Sequence, residues 1–213
     1  MSDLQDWPEP GGRAPAPGEE LHRLQDFVNT NDVESAADAL GTPEKLRRWL
    51  VAIGAIPREA TVDREVHARA IAIREGLRAL GEANNGEEPD RRWVEAMNRA
   101  AAGVPLVASI GGPGWHLAGV ERGVDGYLGG ILATLLSSMA DGSWSRVKAC
   151  RNDTCRWLFY DASRNRSGTW CTMAICGSRM KARAYRARRR ETAGRRAPDI
   201  RPAPTVEPLA YGQ

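Results

Sequence analysis

The segment CRNDTCRWLFYDASRNRSGTWCTMAICGSRMKARAYRARRR, residues 150–190, decides how this sequence is interpreted, because it contains all four cysteines of the 213-residue chain. They form two equally spaced pairs, C-x4-C-x15-C-x4-C, at Cys150, Cys155, Cys171 and Cys176. Each pair can supply two thiolates from one turn, and the longer spacer lets the pairs meet around a tetrahedral ion. The spacing therefore predicts one structural Zn²⁺ ion bound by these four cysteines.

Four other uses of the cysteines stay open at the level of sequence: two disulfides, an iron–sulfur cluster, redox-active thiols, and plain buried cysteines. The N-terminal sequence MSDLQDWPEPGG is acidic and has no apolar run typical of a secretion signal. We therefore expect the protein in the cytoplasm, where structural disulfides are rare. The symmetric pairs and the dense positive charge around them favour zinc over a cluster.

Charge is distributed unevenly along the chain. Residues 1–145 carry 14 Lys and Arg against 22 Asp and Glu, a net charge of −8. Residues 146–196 carry 15 Lys and Arg against three acids, a net charge of +12. Such an acidic body with a basic end is typical of a polyanion-binding module attached to a domain that does not bind polyanions. A solvated basic tail without a partner is the plainer alternative.

The basic end is predicted to be a helix that contacts nucleic acid. Seven of the residues from Arg179 to Arg190 are basic and none is acidic. We expect Gly177 to provide a tight turn and Ser178 to cap the helix. A helix charged nearly all round buries little surface in protein, whereas it can lie along DNA. The candidate contacts lie on this helix and in the loop between the cysteine pairs. They are Arg164, Asn165, Arg166, Arg179, Lys181, Arg183, Arg186, Arg188, Arg189 and Arg190.

Two groups of these residues have structural interpretations as well. Four thiolates around zinc carry a net negative charge, and Arg179 could compensate it rather than bind DNA. Trp157, Phe159 and Trp170 could stack on bases, but in so small a module we expect them to pack over the metal. Asp161 is expected to accept hydrogen bonds in a turn rather than to act as a catalytic acid.

Apolar periodicity predicts a mostly helical body upstream. Helices are expected over residues 42–54, 62–80 and 90–102, capped by Thr42 and Asp90 and ended by Gly54 and Gly81. Two short strands, residues 104–110 and 115–120, are expected to form a hairpin. An apolar helix at 125–140 follows, with Leu136 and Met139 on its apolar face, and its 15-residue apolar run is shorter than the ~20 residues that span a membrane. Residues 144–149 are expected to form a strand that leads to Cys150.

These elements predict an α+β protein: a mainly helical N-terminal domain with a small β-hairpin, followed by a small four-cysteine zinc-finger module that ends in a basic helix. The expected boundaries are a disordered segment at 1–19, a domain at 20–145, the finger with its basic helix at 146–192, and a disordered tail at 193–213. The terminal segments are rich in proline and glycine, which bury too little surface to order the chain.

The finger segment resembles the CGNR zinc-finger family, whose pattern combines two cysteine pairs with F-x-D-x-S-R-N, W-C-x-M and C-G-N-R-x-K. The matching residues beyond the cysteines are Phe159, Asp161, Ser163, Arg164, Asn165, Trp170, Met173, Gly177, Arg179 and Lys181. Ser178 departs from the pattern, which has Asn there. DFVNT at 26–30, TPEKLRRWL, and the hairpin followed by an apolar helix are similar to the ABATE domain that precedes this finger. The resemblance implies a stress-responsive bacterial transcription regulator that binds duplex DNA and associates with the nucleoid.

Competing functions remain at this stage. An RNA-binding accessory protein would need Trp157 or Trp170 exposed for base stacking. An enzyme is not expected, because His22, His67 and His116 are scattered and a four-cysteine zinc ion has no open position for water. The N-terminal domain is compatible with homodimerisation or with a small-molecule effector, and no membrane partner is expected.

Overall fold

The computed structural model describes residues 15–111, 114–120 and 122–195, with side chains through residue 192. Most of the two segments predicted to be disordered, residues 1–14 and 196–213, lies outside the described residues. Pro15 to Gly18, which end the first of these segments, lie against the following helix: Ala16 is buried and its N–H donates to Gln25 Oε1 at 2.6 Å. Within the described chain, residues 15–178 form one compact unit and the residues from Arg179 form a second.

Helices dominate, as the sequence predicts, and the strands form three separate antiparallel pairs. The helices are α1 (Glu19–Asn29), α2 (Pro43–Ala52), α3 (Arg64–Asn84), α4 (Arg91–Ala101), α5 (Gly123–Ala140) and α6 (Ser178–Arg195). The strands are β1 (Asn31–Asp32), β2 (Ala37–Asp38), β3 (Leu106–Gly111), β4 (Gly114–Gly119), β5 (Val147–Ala149) and β6 (Leu158–Tyr160). The α+β class and the β3–β4 hairpin are confirmed. In the described part of the chain, no helix combines the length and the apolar character that a membrane span requires.

The core of the first unit lies between α1, α2, α3 and α5. Its fully buried side chains include Leu24, Phe27, Leu46, Leu50, Ile73, Leu77, Leu128 and Ile131. The predicted N-caps Thr42 and Asp90 are confirmed, since Thr42 Oγ1 accepts from Lys45 N–H and the Asp90 carboxylate accepts from Arg92 N–H. Asp63, which was not predicted as a cap, caps α3 in the same way. Local signals therefore set where these helices begin.

Helix ends and one apolar face differ from the sequence prediction. Gly81 does not stop α3, which continues to Asn84 before Gly86 adopts a left-handed φ of 80°. Leu136 and Met139 on α5 are 44% and 43% exposed rather than buried. The strand predicted at 144–149 begins only at Val147, after a 3₁₀ turn over Ser143–Arg146.

Strands β5 and β6 attach the cysteine segment to the helical body, so packing continues across residue 146, where the charge changes sign. The Asn29 side chain hydrogen-bonds to both backbone groups of Leu158 in β6, as a neighbouring strand would. Its Oδ1 accepts from Leu158 N–H at 2.7 Å, and its Nδ2 donates to Leu158 O at 2.9 Å. Asn85 Nδ2 donates to the carbonyls of Ala149 and Thr169. An asparagine in such a sequence is more often a cap or turn residue, whereas Asn29 acts as a clamp on β6.

Gly81 lies where β5 and β6 cross α3. A Cβ at this position would lie 2.5 Å from Leu158 Cδ1 and 3.2 Å from Ala149 N, inside the core. Gly81 therefore lets β5 and β6 pack close to α3. The helix tolerates a glycine here because this packing outweighs the low helix propensity of glycine.

We predict that Gly81→Ala lowers the free energy of unfolding by about 1–3 kcal/mol despite alanine's better helix propensity, because the added methyl overpacks the crossing. Gly130 is the matched control: it lies inside α5, and a Cβ there meets no atom within 4 Å. Gly130→Ala should stabilise the protein by about 0.5–1 kcal/mol. Urea unfolding followed by circular dichroism measures both changes, and equal effects of the two variants would contradict the close-approach argument.

Candidate metal centre and basic helix

The four cysteine sulfurs meet in one buried cluster. All four Sγ atoms lie within 4.8 Å of one another, with 3.7 Å between Cys155 and Cys171 and 3.6 Å between Cys171 and Cys176. Tetrahedral zinc with Zn–S bonds of about 2.3 Å places its sulfurs about 3.8 Å apart. A disulfide would require about 2.05 Å between two sulfurs, and none of the four cysteines forms one. The donor set and its spacing fit one structural zinc ion.

The first cysteine pair is held by a turn that also touches the second pair. Asn152 O accepts the N–H groups of Cys155 at 2.7 Å and Arg156 at 3.0 Å, and Arg156 adopts a left-handed φ of 51°. Asn152 Nδ2 lies 3.7 Å from Cys176 Sγ, so its amide can donate to a bound thiolate. Asn152 is 4% exposed, and sequence reasoning missed it.

Repulsion between the cysteine thiolates makes the cluster dependent on a bound cation. Side-chain hydrogen bonds with Cys155 and Cys171, together with burial, raise the pKa of Cys150, although backbone N–H groups of Cys171 and Asn152 oppose the change. Four thiolates cannot share this space without a positive charge. Metal binding must therefore displace thiol protons, and the affinity should rise with pH.

Aromatic side chains cover the cluster, as expected. Trp157 and Phe159 are 3% and 5% exposed and pack with the cysteines, and Trp170 and Ile175 lie at the border of the same cluster. Gly177 does not provide the expected tight turn. It belongs to a π-helical turn over Met173–Gly177, where a Cβ would lie 2.7 Å from Met173 Sδ and 3.3 Å from Trp170 Cδ1.

A buried ion pair organises the loop between the cysteine pairs. Lys148 Nζ lies 2.7 Å from Asp161 Oδ2, and Asp161 also accepts the N–H groups of Ser163 and Gly168. Burial opposes ionisation, but these hydrogen bonds outweigh it and lower the pKa of Asp161 to about 2. The stabilisation by this carboxylate is thus present above its ordinary pKa of 3.8 and is lost as the pH falls through about 2. Asp161 is a turn acceptor, as predicted.

The loop presents three candidate contact residues on the surface. Arg164, Asn165 and Arg166 are exposed. Arg166 has a left-handed φ of 52°, and its Nη1 donates to Ser145 Oγ at 3.1 Å. That hydrogen bond fixes the direction of Arg166 relative to the 3₁₀ turn, while Arg164 and Asn165 lie at the loop tip.

The basic helix begins differently from the prediction. Ser178 is not an N-cap, because it has helical φ and ψ of −65° and −42° and its hydroxyl donates to Met173 O at 2.9 Å. Thr172 is the cap: its Oγ1 accepts from Ile175 N–H at 3.1 Å. The π turn that contains Cys176 thus leads directly into α6. Every basic side chain predicted on α6 is exposed, namely Arg179, Lys181, Arg183, Arg186, Arg188, Arg189 and Arg190.

We predict that Cys171→Ser abolishes zinc binding, because a serine hydroxyl does not replace a thiolate ligand. Structural zinc contributes roughly 10–16 kcal/mol of apparent binding energy in zinc-finger peptides, so the variant should lose at least ~3 kcal/mol of stability. Thr172→Ser is the matched control, since it introduces the same residue one position away and keeps the capping hydroxyl. Metal content by mass spectrometry and thermal unfolding test the pair. A Cys171→Ser protein that retains one equivalent of zinc would contradict the assignment.

Comparison with protein families agrees with this geometry. Residues 146–189 match the CGNR zinc finger, and residues 21–141 match ABATE, described as "Putative stress-induced transcription regulator". No curated protein matches the chain. Since the second match covers more than half of the 213 residues, the chain belongs to the ABATE family and carries a CGNR zinc finger after that domain.

Proposed function

We propose that the protein is a transcription regulator whose zinc centre orders the start of a basic helix that binds duplex DNA. The observation that carries the proposal is the uniform exposure of seven cations on α6, with no acid from Arg179 to Arg190. Seven positive charges without an intervening acid give this stretch of helix a high positive charge density. Phosphate groups supply charges of opposite sign at regular spacing.

The contacts on α6 divide by helical geometry. At 100° per residue, Arg179, Arg183, Arg186 and Arg190 share one face of the helix. Arginine forks on one face suit phosphates or guanine edges in the major groove. Most protein–DNA hydrogen bonds go to the backbone, so phosphate contact is the default role for each of these residues.

Trp157 is 3% exposed and Trp170 is partly buried against the cysteine cluster, which weighs against RNA as the main partner, since single-stranded RNA is bound largely by stacking on accessible aromatic rings. The acidic N-terminal domain is proposed to sense a signal or to dimerise rather than to touch DNA. The proposal also implies a cytoplasmic protein that associates with the nucleoid when bound, and no catalytic activity.

We predict steeply salt-dependent binding to duplex DNA. If about six phosphates are neutralised, log K should fall against log[salt] with a slope of about −5. Fluorescence anisotropy of a labelled mixed-sequence duplex between about 50 and 200 mM salt measures the slope. A flat response, or tighter binding of a length-matched RNA, would overturn the assignment to DNA.

We further predict that Arg183→Gln/Arg186→Gln/Arg190→Gln reduces the magnitude of this slope by about three, one unit for each lost phosphate contact. The matched control removes three exposed arginines from the body, Arg64→Gln/Arg91→Gln/Arg99→Gln, and should leave the slope unchanged. Zinc removal by a chelator should abolish binding by the otherwise intact chain. Equal effects of the two triple variants would mean that net charge, rather than α6, governs binding.

A further inference from the structure

A cavity of about 440 Å³ lies in the N-terminal domain between α1, the end of α2 and α5. Its volume is within the range of small-molecule sites, roughly 300–1,000 Å³. One side is apolar and aromatic, formed by Trp49, Ile53, Ala55 and Tyr127. The other side is the polar face of α1, which contributes Glu19, His22, Arg23 and Asp26.

The hydroxyl of Tyr127 is the most informative group in this cavity. The tyrosine ring packs edge-on against Phe27 and Trp49, with ring centroids 5.8 and 5.7 Å apart. Its hydroxyl oxygen is buried and, among the described residues, has no hydrogen-bond partner. Burial raises the pKa of Tyr127, and the nearest influences on it are the charges of Arg23 and Asp26, which line the same cavity. The group therefore stays protonated at the cavity wall, although a buried polar group without a partner destabilises a fold.

Of the two carboxylates that line the cavity, Asp26 is the one without a strong partner among the described residues. Glu19 and Arg23 form an ion pair of 2.6 Å and neutralise each other. The ion pair found for Asp26 in the described part of the chain is with His22, whose Nε2 lies 3.4 Å away and is positive only when protonated. The sequence from residue 1 to residue 145 carries a net charge of −8, which favours cations over anions as ligands of this domain.

We propose that this cavity binds a small organic cation that carries an apolar ring. Its ammonium group pairs with Asp26 and donates a hydrogen bond to Tyr127 Oη, and its ring makes apolar contact with Trp49 and Ile53. The site goes beyond the proposed DNA-binding function. It is tested without DNA, so a failure of either proposal leaves the other standing.

Three indole probes of nearly equal size separate charge from apolar contact: tryptamine is a cation, tryptophol is neutral and indole-3-propionate is an anion. Isothermal titration calorimetry on the full zinc-loaded chain should give a Kd on the order of 1 mM for tryptamine, as expected for a ligand of this size. Tryptophol should bind about five- to tenfold more weakly, and indole-3-propionate more weakly still. Equal affinities of the three probes, or no saturable tryptamine binding, would overturn the proposal.

Two variants and a control locate the site. Asp26→Asn should remove the preference for tryptamine over tryptophol. Tyr127→Phe should weaken tryptamine about five- to tenfold, and the thermal stability of the free protein should stay unchanged or rise, because the variant removes an unpaired buried hydroxyl. Glu20→Gln changes a carboxylate on α1 that does not line the cavity, and it should leave tryptamine binding unchanged. Marked destabilisation of the free Tyr127→Phe protein would show that the hydroxyl has a structural partner and would contradict its role as a ligand contact.

Discussion

The guanidinium of Arg78 holds together the segments that the rest of the structure depends on. It is fully buried, and it donates to the carbonyls of Val28 and Arg156 at 2.7 Å each and to Glu75 Oε2 at 3.1 Å. One side chain of α3 thus fixes the end of α1 and the turn after Cys155. Burial raises the pKa of Glu75, but Arg78 and Arg74 outweigh it and keep the carboxylate ionised, so the buried positive charge is compensated.

Because of these hydrogen bonds, the metal centre packs with the helical body as one unit and is not an independent domain on a linker. Arg156 also forms an ion pair with Glu82 of α3 at 2.6 Å, and Asn29 pairs with both backbone groups of Leu158. Free energy gained by binding zinc therefore stabilises α1 and α3 as well as the cysteine turns. Loss of the ion would therefore loosen the helical domain as well as the cysteine turns. In a protein whose finger did not pack against the helices, the same loss would leave the helical domain unchanged.

Sequence reasoning succeeded where the signal is local or periodic. Cysteine spacing predicted the metal cluster, and the caps Thr42 and Asp90 predicted helix starts, because each depends on a few neighbouring residues. It failed where a residue's role is set by a distant partner: Gly81 reads as a helix stop until β6 is seen to cross it, and Asn29 reads as a turn residue until Leu158 is paired with it. Ser178 was wrongly predicted to be an N-cap, because a π turn is rare and no local sequence pattern indicates one.

Helix α1 contacts both the proposed ligand cavity and strand β6, which lies between the two cysteine pairs. Asp26 lines the cavity, and Asn29, three residues later, clamps β6 between the two cysteine pairs. A charge added in the cavity is screened within about 10 Å at ordinary ionic strength, so Coulomb forces alone would carry little of its effect to the cysteines. Any influence of a bound cation on the metal centre must instead act through the position and stability of α1, by tightening or loosening the Asn29–Leu158 pairing.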